Sequence, residues 1–121
     1  MVVNQEKFFQ KKMETKLEEL NAKEKKFISM NAILIEKTLE GFDCLVRIAE
    51  LKIHPKTYEY RLEIAMGTDL CEIERHSREI ALAVASPTGK VELEIPIPGR
   101  SLIGIKVPKP SREALEKMIS S

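Results

Sequence analysis

The chain has 121 residues, 43% of them hydrophobic, which is material for one domain with a core and leaves little room for two. Its 20 basic residues stand against 19 acidic ones, a net charge of +1, so the global positive excess of a stand-alone nucleic-acid-binding module is excluded. No apolar run approaches the roughly 20 residues needed to cross a bilayer, which excludes an integral membrane role for this stretch.

Along the chain the charge is uneven. Residues 1–31 carry 7 lysines against 5 glutamates, residues 32–99 carry 8 basic against 12 acidic groups, and residues 100–121 carry 5 basic against 2 acidic. An acidic middle repels phosphate, so DNA contact must come from the basic ends or through a partner. Cys44 and Cys71 in a chain that opens without an apolar leader favour the reducing cytosol.

Phe9, Met13, Leu17, Leu20, Phe27, Ile28, Ile35, Leu39 and Phe42 recur at three- and four-residue steps, which predicts helix over the first forty residues. The Lys-, Glu- and Gln-rich part up to residue 26 reads as an exposed lead-in helix. A break is expected near residues 28–31, with Ser29 as N-cap of a second segment and Gly41 as its stop. Leu45, Ile48 and Leu51 then alternate imperfectly with Arg47, Glu50 and Lys52. Tyr58, Tyr60, Leu62 and Ile64 alternate cleanly with Glu59, Arg61 and Glu63, giving two strands joined by the turn His54-Pro55-Lys56.

Leu70, Ile73, Ile80, Ala81 and Val84 mark one face of a helix that Thr68 or Asp69 can cap. Ser86-Pro87-Thr88-Gly89 is a turn, Val91–Ile95 a strand, and Leu102–Val107 a final strand stopped by Pro108 and Pro110. Ser111 opens a last helix through Ala114, Leu115, Met118 and Ile119. The predicted fold is α+β, ordered helix-strand-strand-helix-strand-strand-helix, with a small, mostly antiparallel sheet, helices on one face and an extended N-terminal helix. The expected divisions are a helical extension or linker over 1–28, the α/β domain over 29–109 and a C-terminal helix over 110–121.

Chemistry-bearing patterns are sparse. Gly41, Gly67, Gly89, Gly99 and Gly104 form no phosphate loop, so no nucleotide site is expected in this stretch. Cys44, His54, Cys71 and His76 lack the paired spacing of a zinc site, which favours structural cysteines over a metal. No nucleophile stands beside a base and an orienting carboxylate at informative spacing, so no catalytic residue is assigned. Glu59, Glu63, Glu92 and Glu94 read as the solvated face of a sheet. Tyr58 and Tyr60 share a strand face, where core packing is a better use than base stacking.

The least generic string is Glu94-Ile95-Pro96-Ile97-Pro98-Gly99-Arg100-Ser101. Two prolines at alternate positions hold the backbone extended and Gly99 allows a sharp turn, so a stiff bend is preset between two strands. Such a bend serves as a docking surface or a spacer.

The run from Ile35 to Pro108 resembles the alpha domain of the FtsK/SpoIIIE family of DNA translocases. The resemblance is carried, in order, by Leu39-Glu40-Gly41-Phe42, Pro55 through Leu62, Met66-Gly67-Thr68, Glu79-Ile80-Ala81-Leu82-Ala83, Pro96-Ile97-Pro98-Gly99-Arg100-Ser101, Gly104-Ile105 and Val107-Pro108. The chain departs from the family's usual pattern at His54, where the family has Gly. It departs again at Glu59 and Arg61, whose charges are exchanged, at Lys106 in place of an acid, and at Lys109 in place of Asn.

The resemblance implies a non-catalytic domain of a translocase that forms ring and domain contacts and supports ATP-driven movement of double-stranded DNA by a motor domain. Its implied partners are that motor domain, other copies of itself in a ring, and duplex DNA weakly or indirectly, with no small-molecule substrate. No cofactor belongs to this chain, ATP and magnesium being expected only in the motor beyond Ser121. Pro96, Ile97, Pro98, Gly99, Arg100 and Ser101 are the expected docking loop, and Arg100, Lys106 and Lys109 the cations expected to face DNA or the motor. The plain alternative for Arg100 is an ordinary exposed loop cation. A cytoplasmic location follows, with any membrane tether left to a region N-terminal to this chain.

Two other readings stand beside it. A free-standing DNA-binding or adaptor protein would act in trans on a translocase and touch phosphates through Lys11, Lys12, Lys16, Lys23, Lys25 and Lys26. An oligomer zipped by the lead-in helix through Met13, Leu17, Leu20 and Phe27 is weakened by Glu24 in the seam.

Overall fold

The computed structural model describes residues 22–65, 67 and 70–120, apart from the side chains of 71 and 118–120. Helix α1 (Ala22–Glu40) is followed by strands β1 (Val46–Ile53) and β2 (Thr57–Ile64), and then by short helices α2 (Leu70–Arg75) and α3 (Ser77–Ala83). Strands β3 (Glu92–Glu94) and β4 (Ile103–Pro108) and helix α4 (Arg112–Ser120) complete the domain. The strands form one sheet in the order β1-β2-β4-β3, antiparallel at each pairing. The α+β architecture and element order therefore match the expectation, with the middle helix divided in two.

The expected break near residues 28–31 is absent: α1 runs unbroken through Ser29, which is an exposed mid-helix residue. Phe27, Ile28, Asn31, Ala32, Ile35 and Leu39 are all buried and follow one helical stripe, so packing against the sheet holds the segment as a single helix. Residues 1–21, with Phe9, Met13, Leu17 and Leu20, lie outside the described residues, as do Thr68 and Asp69.

Gly41 is not the left-handed stop. Helix α1 closes when Asp43 N–H donates to Glu40 O (3.0 Å) and Cys44 N–H to Leu39 O (2.9 Å), with Asp43 in the left-handed region at φ 61. The same closure ends α3, where Ala85 has φ 50, Ala85 N–H donates to Leu82 O and Ser86 N–H donates to Ala81 O. Between α2 and α3, His76 adopts a non-helical φ and ψ, and its ring stacks on Phe42 with centroids 3.6 Å apart. Phe42 lies in the turn that follows α1, a contact that the helical periodicity of residues 70–84 does not show.

The imperfect alternation of β1 has a structural cause. The register slips between Ile48 and Glu50, so Ile48 and Leu51 both point into the core although they are three residues apart. Glu36 Oε1 accepts the Ile48 N–H at 3.1 Å beside this irregularity, satisfying a sheet-edge donor. Leu45, read with the apolar set, is 61% exposed.

The core lies between the helices and the inner sheet face, where Ile48, Tyr60, Leu62 and Ile105 meet Ile28, Ile35, Ile73 and Ile80, all at 0% exposure. Both tyrosines serve packing, as the alternation predicted, and each hydroxyl fastens the sheet to α1. Tyr60 Oη–H donates to Ile28 O at 3.1 Å, and Tyr58 Oη–H to Glu24 Oε2 at 3.0 Å. Burial first, and then the Glu24 carboxylate, raises the Tyr58 phenol well above its ordinary value. Helix α4 opens with Ser111 Oγ accepting the Ala114 N–H at 3.1 Å and seats Leu115 in the core.

Candidate docking loop and the charged sheet face

The outer face of the sheet carries cross-strand rows of charge. Lys52, Glu59, Lys106 and Glu92 lie side by side across β1, β2, β4 and β3, and each neighbour has the opposite sign. The next row holds Glu50, Arg61, Gly104 and Glu94, and Arg47 faces Glu63 beyond it. Such pairings stabilise antiparallel neighbours and leave little net field above the face. Glu59 and Lys106, two of the positions where the chain departs from the family's usual charges, are thus direct opposite-sign neighbours.

Glu59 is not solvated as expected. It is 2% exposed, whereas Glu63 and Glu92 are exposed. The 96–101 loop explains the difference. Ile97, 6% exposed, folds back over the outer face, where Gly104 has no side chain to obstruct it. A Cβ at Gly104 would meet Ile97 Cδ1 and Glu59 Oε2 at 3.4 Å each. Covered on that side, Glu59 is satisfied by His54 Nε2–H at 2.5 Å and by Arg61 Nε–H at 2.7 Å. Burial pushes the Glu59 carboxyl up, but the hydrogen bonds from Arg61 and His54 outweigh it and hold it below its ordinary value. The Arg61 guanidinium is stabilised in turn, chiefly by its hydrogen bond to Glu59.

The loop is a closed knob. Ile97 N–H donates to Leu102 O at 2.8 Å, Arg100 N–H donates to Ile97 O at 3.0 Å, and Gly99 takes φ 75 at the turn. The Ile95–Pro96 peptide is cis. Pro96, Pro98, Gly99, Arg100 and Ser101 are exposed, so the stiff bend read from the sequence presents most of its residues outward and spends Ile97 on anchoring. Arg100 also reaches the sheet. Its Nη2 and Nη1 donate to Glu50 Oε1 and Oε2 at 2.6 and 3.1 Å. The Arg100 hydrogen bond is the main cause holding the Glu50 carboxyl below its ordinary value.

The three expected cations are not gathered on one surface. Arg100 and Lys106 belong to the outer face. Lys109 Nζ instead sits 5.2 Å from the centroid of the Tyr58 ring, a cation–π contact on the side of α1. Glu50, Glu59 and His54, which build the anchorage of the loop, carry no recognisable spacing. Their only signal is opposite charge at positions that become neighbours once strand register is known. Among the described residues no three His, Cys, Asp or Glu side chains are grouped to hold a metal ion. His54 is engaged by Glu59, His76 by Phe42, and Cys44 is buried. No described helix is long and apolar enough to cross a membrane.

Comparison with known proteins covers nearly the whole of this arrangement. Residues 8–109 match the FtsK alpha domain family. A protein of Streptococcus pneumoniae named DNA translocase FtsK is 38% identical over 87 residues, which are 72% of this chain and 11% of that protein. Proteins of the same name from Streptococcus agalactiae and Staphylococcus epidermidis are each 37% identical, over 87 and 75 residues, or 72% and 62% of this chain. The chain spans about a tenth of the length of these curated relatives. With its fold, its loop and its ordered motifs covered by the match, the chain belongs to the FtsK alpha domain family.

Proposed function

We propose that this chain is the non-catalytic alpha domain of an FtsK-type DNA translocase, making ring contacts with other copies and domain contacts with the motor that moves double-stranded DNA. The observation that carries this reading is the family match over residues 8–109 together with relatives named DNA translocase of which the chain spans about a tenth. In this reading ATP and magnesium belong to the motor and the chain takes no small-molecule substrate. Its cellular place is the cytoplasm. The division of the chain into an N-terminal extension, an alpha-type domain and a C-terminal helix pointing toward the motor belongs to the same reading.

The 96–101 loop is the docking element. Its backbone is rigid and its outward residues are free of core duty, so it can meet a partner without an ordering cost. Lys106 on the same outer face is an auxiliary cation, Lys109 serves as a separate cation on the α1 side, and DNA is guided weakly because the outer face is charge-matched. The test is to mix the full chain with the matching motor domain. Promotion of hexamers and of ATP-driven translocation is expected, and no effect on either would reject the reading.

A further inference from the structure

The Glu50–Arg100 pair has a geometry beyond what the loop needs for its own stability. Both terminal nitrogens of the Arg100 guanidinium are spent on the two oxygens of Glu50, at 2.6 and 3.1 Å. That two-toothed edge is the one arginine offers to a phosphate. The backbone of the loop is held without it, by the buried Ile97 and by the Ile97 N–H to Leu102 O bond. Glu50 is not stranded if Arg100 leaves, because Arg61 Nη1 already lies 3.4 Å from Glu50 Oε2. Arg61 also keeps Glu59 at 2.7 Å. With its side chain 44% exposed, Arg100 is reachable from solvent. Exchange of its partner is therefore possible without unfolding the loop or burying a lone charge.

We propose that Glu50 is an internal mask, a carboxylate that occupies the phosphate-binding edge of Arg100 and keeps the outer sheet face from gripping duplex DNA. This rests on the reading of the chain as part of a DNA translocase and adds to it a residue that sets how weakly the domain holds its track. A loose hold is what a component guiding a moving duplex requires, and the opposite-sign rows across the sheet serve the same end. With Glu50 neutral, the loop would offer one unmasked guanidinium above a face already balanced elsewhere.

The test uses the full chain and a labelled random-sequence duplex, read by fluorescence anisotropy at about 50 mM salt and then over a salt series. Glu50→Gln should tighten binding by about threefold or more and steepen the salt dependence by about one phosphate contact. Glu50→Gln with Arg100→Ala should return to the parent affinity. Arg100→Ala alone should give no gain, since the group that Glu50 masks is then gone. Glu74→Gln, an equal change of charge at an exposed position on α2, should give no gain.

Several results would overturn the mask: no gain in folded Glu50→Gln, a gain that survives removal of Arg100, a gain matched by Glu74→Gln, or a gain of affinity in Arg100→Ala alone. Self-association of Glu50→Gln in place of duplex binding would also overturn it, assigning the freed guanidinium to a protein carboxylate. None of these readouts involves the motor domain, so failure here is distinct from failure of the translocase reading.

Discussion

The two faces of this sheet are built from alternate residues of the same strands and are held by different physics. On the inner face Tyr60, Leu62 and Ile105 are at 0% exposure against the helices, a non-directional fastening that neither salt nor moderate pH disturbs. On the outer face Glu50, Glu59, Arg61, Arg100 and His54 form one chain of charged hydrogen bonds beneath a proline-rich knob. The contrast teaches that the knob is a module seated on a stable platform. The platform should survive changes that alter the knob, whereas the reverse should fail.

The sharpest way to break this contrast is on the inner face. Leu62→Ala removes a fully buried side chain from the middle of β2 and should cost about 2 to 5 kcal/mol in urea unfolding, taking the loop with it. Next in size, Gly104→Val places a branched side chain where Ile97 rests, and should cost about 1 to 3 kcal/mol by overpacking. Amide exchange should rise at Ile97 and Arg100, the donors that close the loop, while Tyr60 and Ile105 stay protected. Equal loss of protection on both faces would mean the knob is not a separate module. Tyr58→Phe removes the hydroxyl that reaches Glu24 and should cost about 1 kcal/mol, with loosening confined to the start of α1.

Acid should separate the faces without mutation. The Glu50 and Glu59 carboxyls lie below their ordinary value of 4.5 in the folded chain, so their contribution is fully present above that pH. It is lost as pH falls through the lowered folded values. The unfolding midpoint should stay flat from neutrality to about pH 5 as far as these two groups determine it, and then decline. The decline should be reduced in Glu50→Gln. The smallest effect is Arg100→Ala, whose exposed pair should change stability by no more than about 1 kcal/mol, with the change shrinking in salt.

Much of this was legible from residue order because it rests on neighbours in the chain. The strict alternation of Tyr58, Tyr60, Leu62 and Ile64 gave β2 its inward face, and Ser111 three residues before Ala114 opened α4. Pro96, Pro98 and Gly99 announced a stiff bend. What escaped depends on contacts between distant segments. The residue that divides α2 from α3, His76, stacks on Phe42 from the turn after α1, and the continuity of α1 through Ser29 goes with its packing on the sheet. Glu59 read as solvated because nothing near it in the chain is able to cover it, and Ile97, which does, lies 38 positions on. The part that Glu50 plays was hidden for the same reason, since its partner Arg100 is 50 positions away.

The sequence by itself determined the α+β class, the order of elements, the preset bend and the family, because periodicity, prolines and ordered motifs are local properties that folding preserves. Only the tertiary structure decided which charges are spent on one another. Register placed Glu59 beside Lys106 and Arg61 beside Glu50, and loop closure brought Arg100 onto Glu50. Pairing of charges is a property of distance in space, and the strand order β1-β2-β4-β3 makes neighbours of residues that the chain keeps far apart.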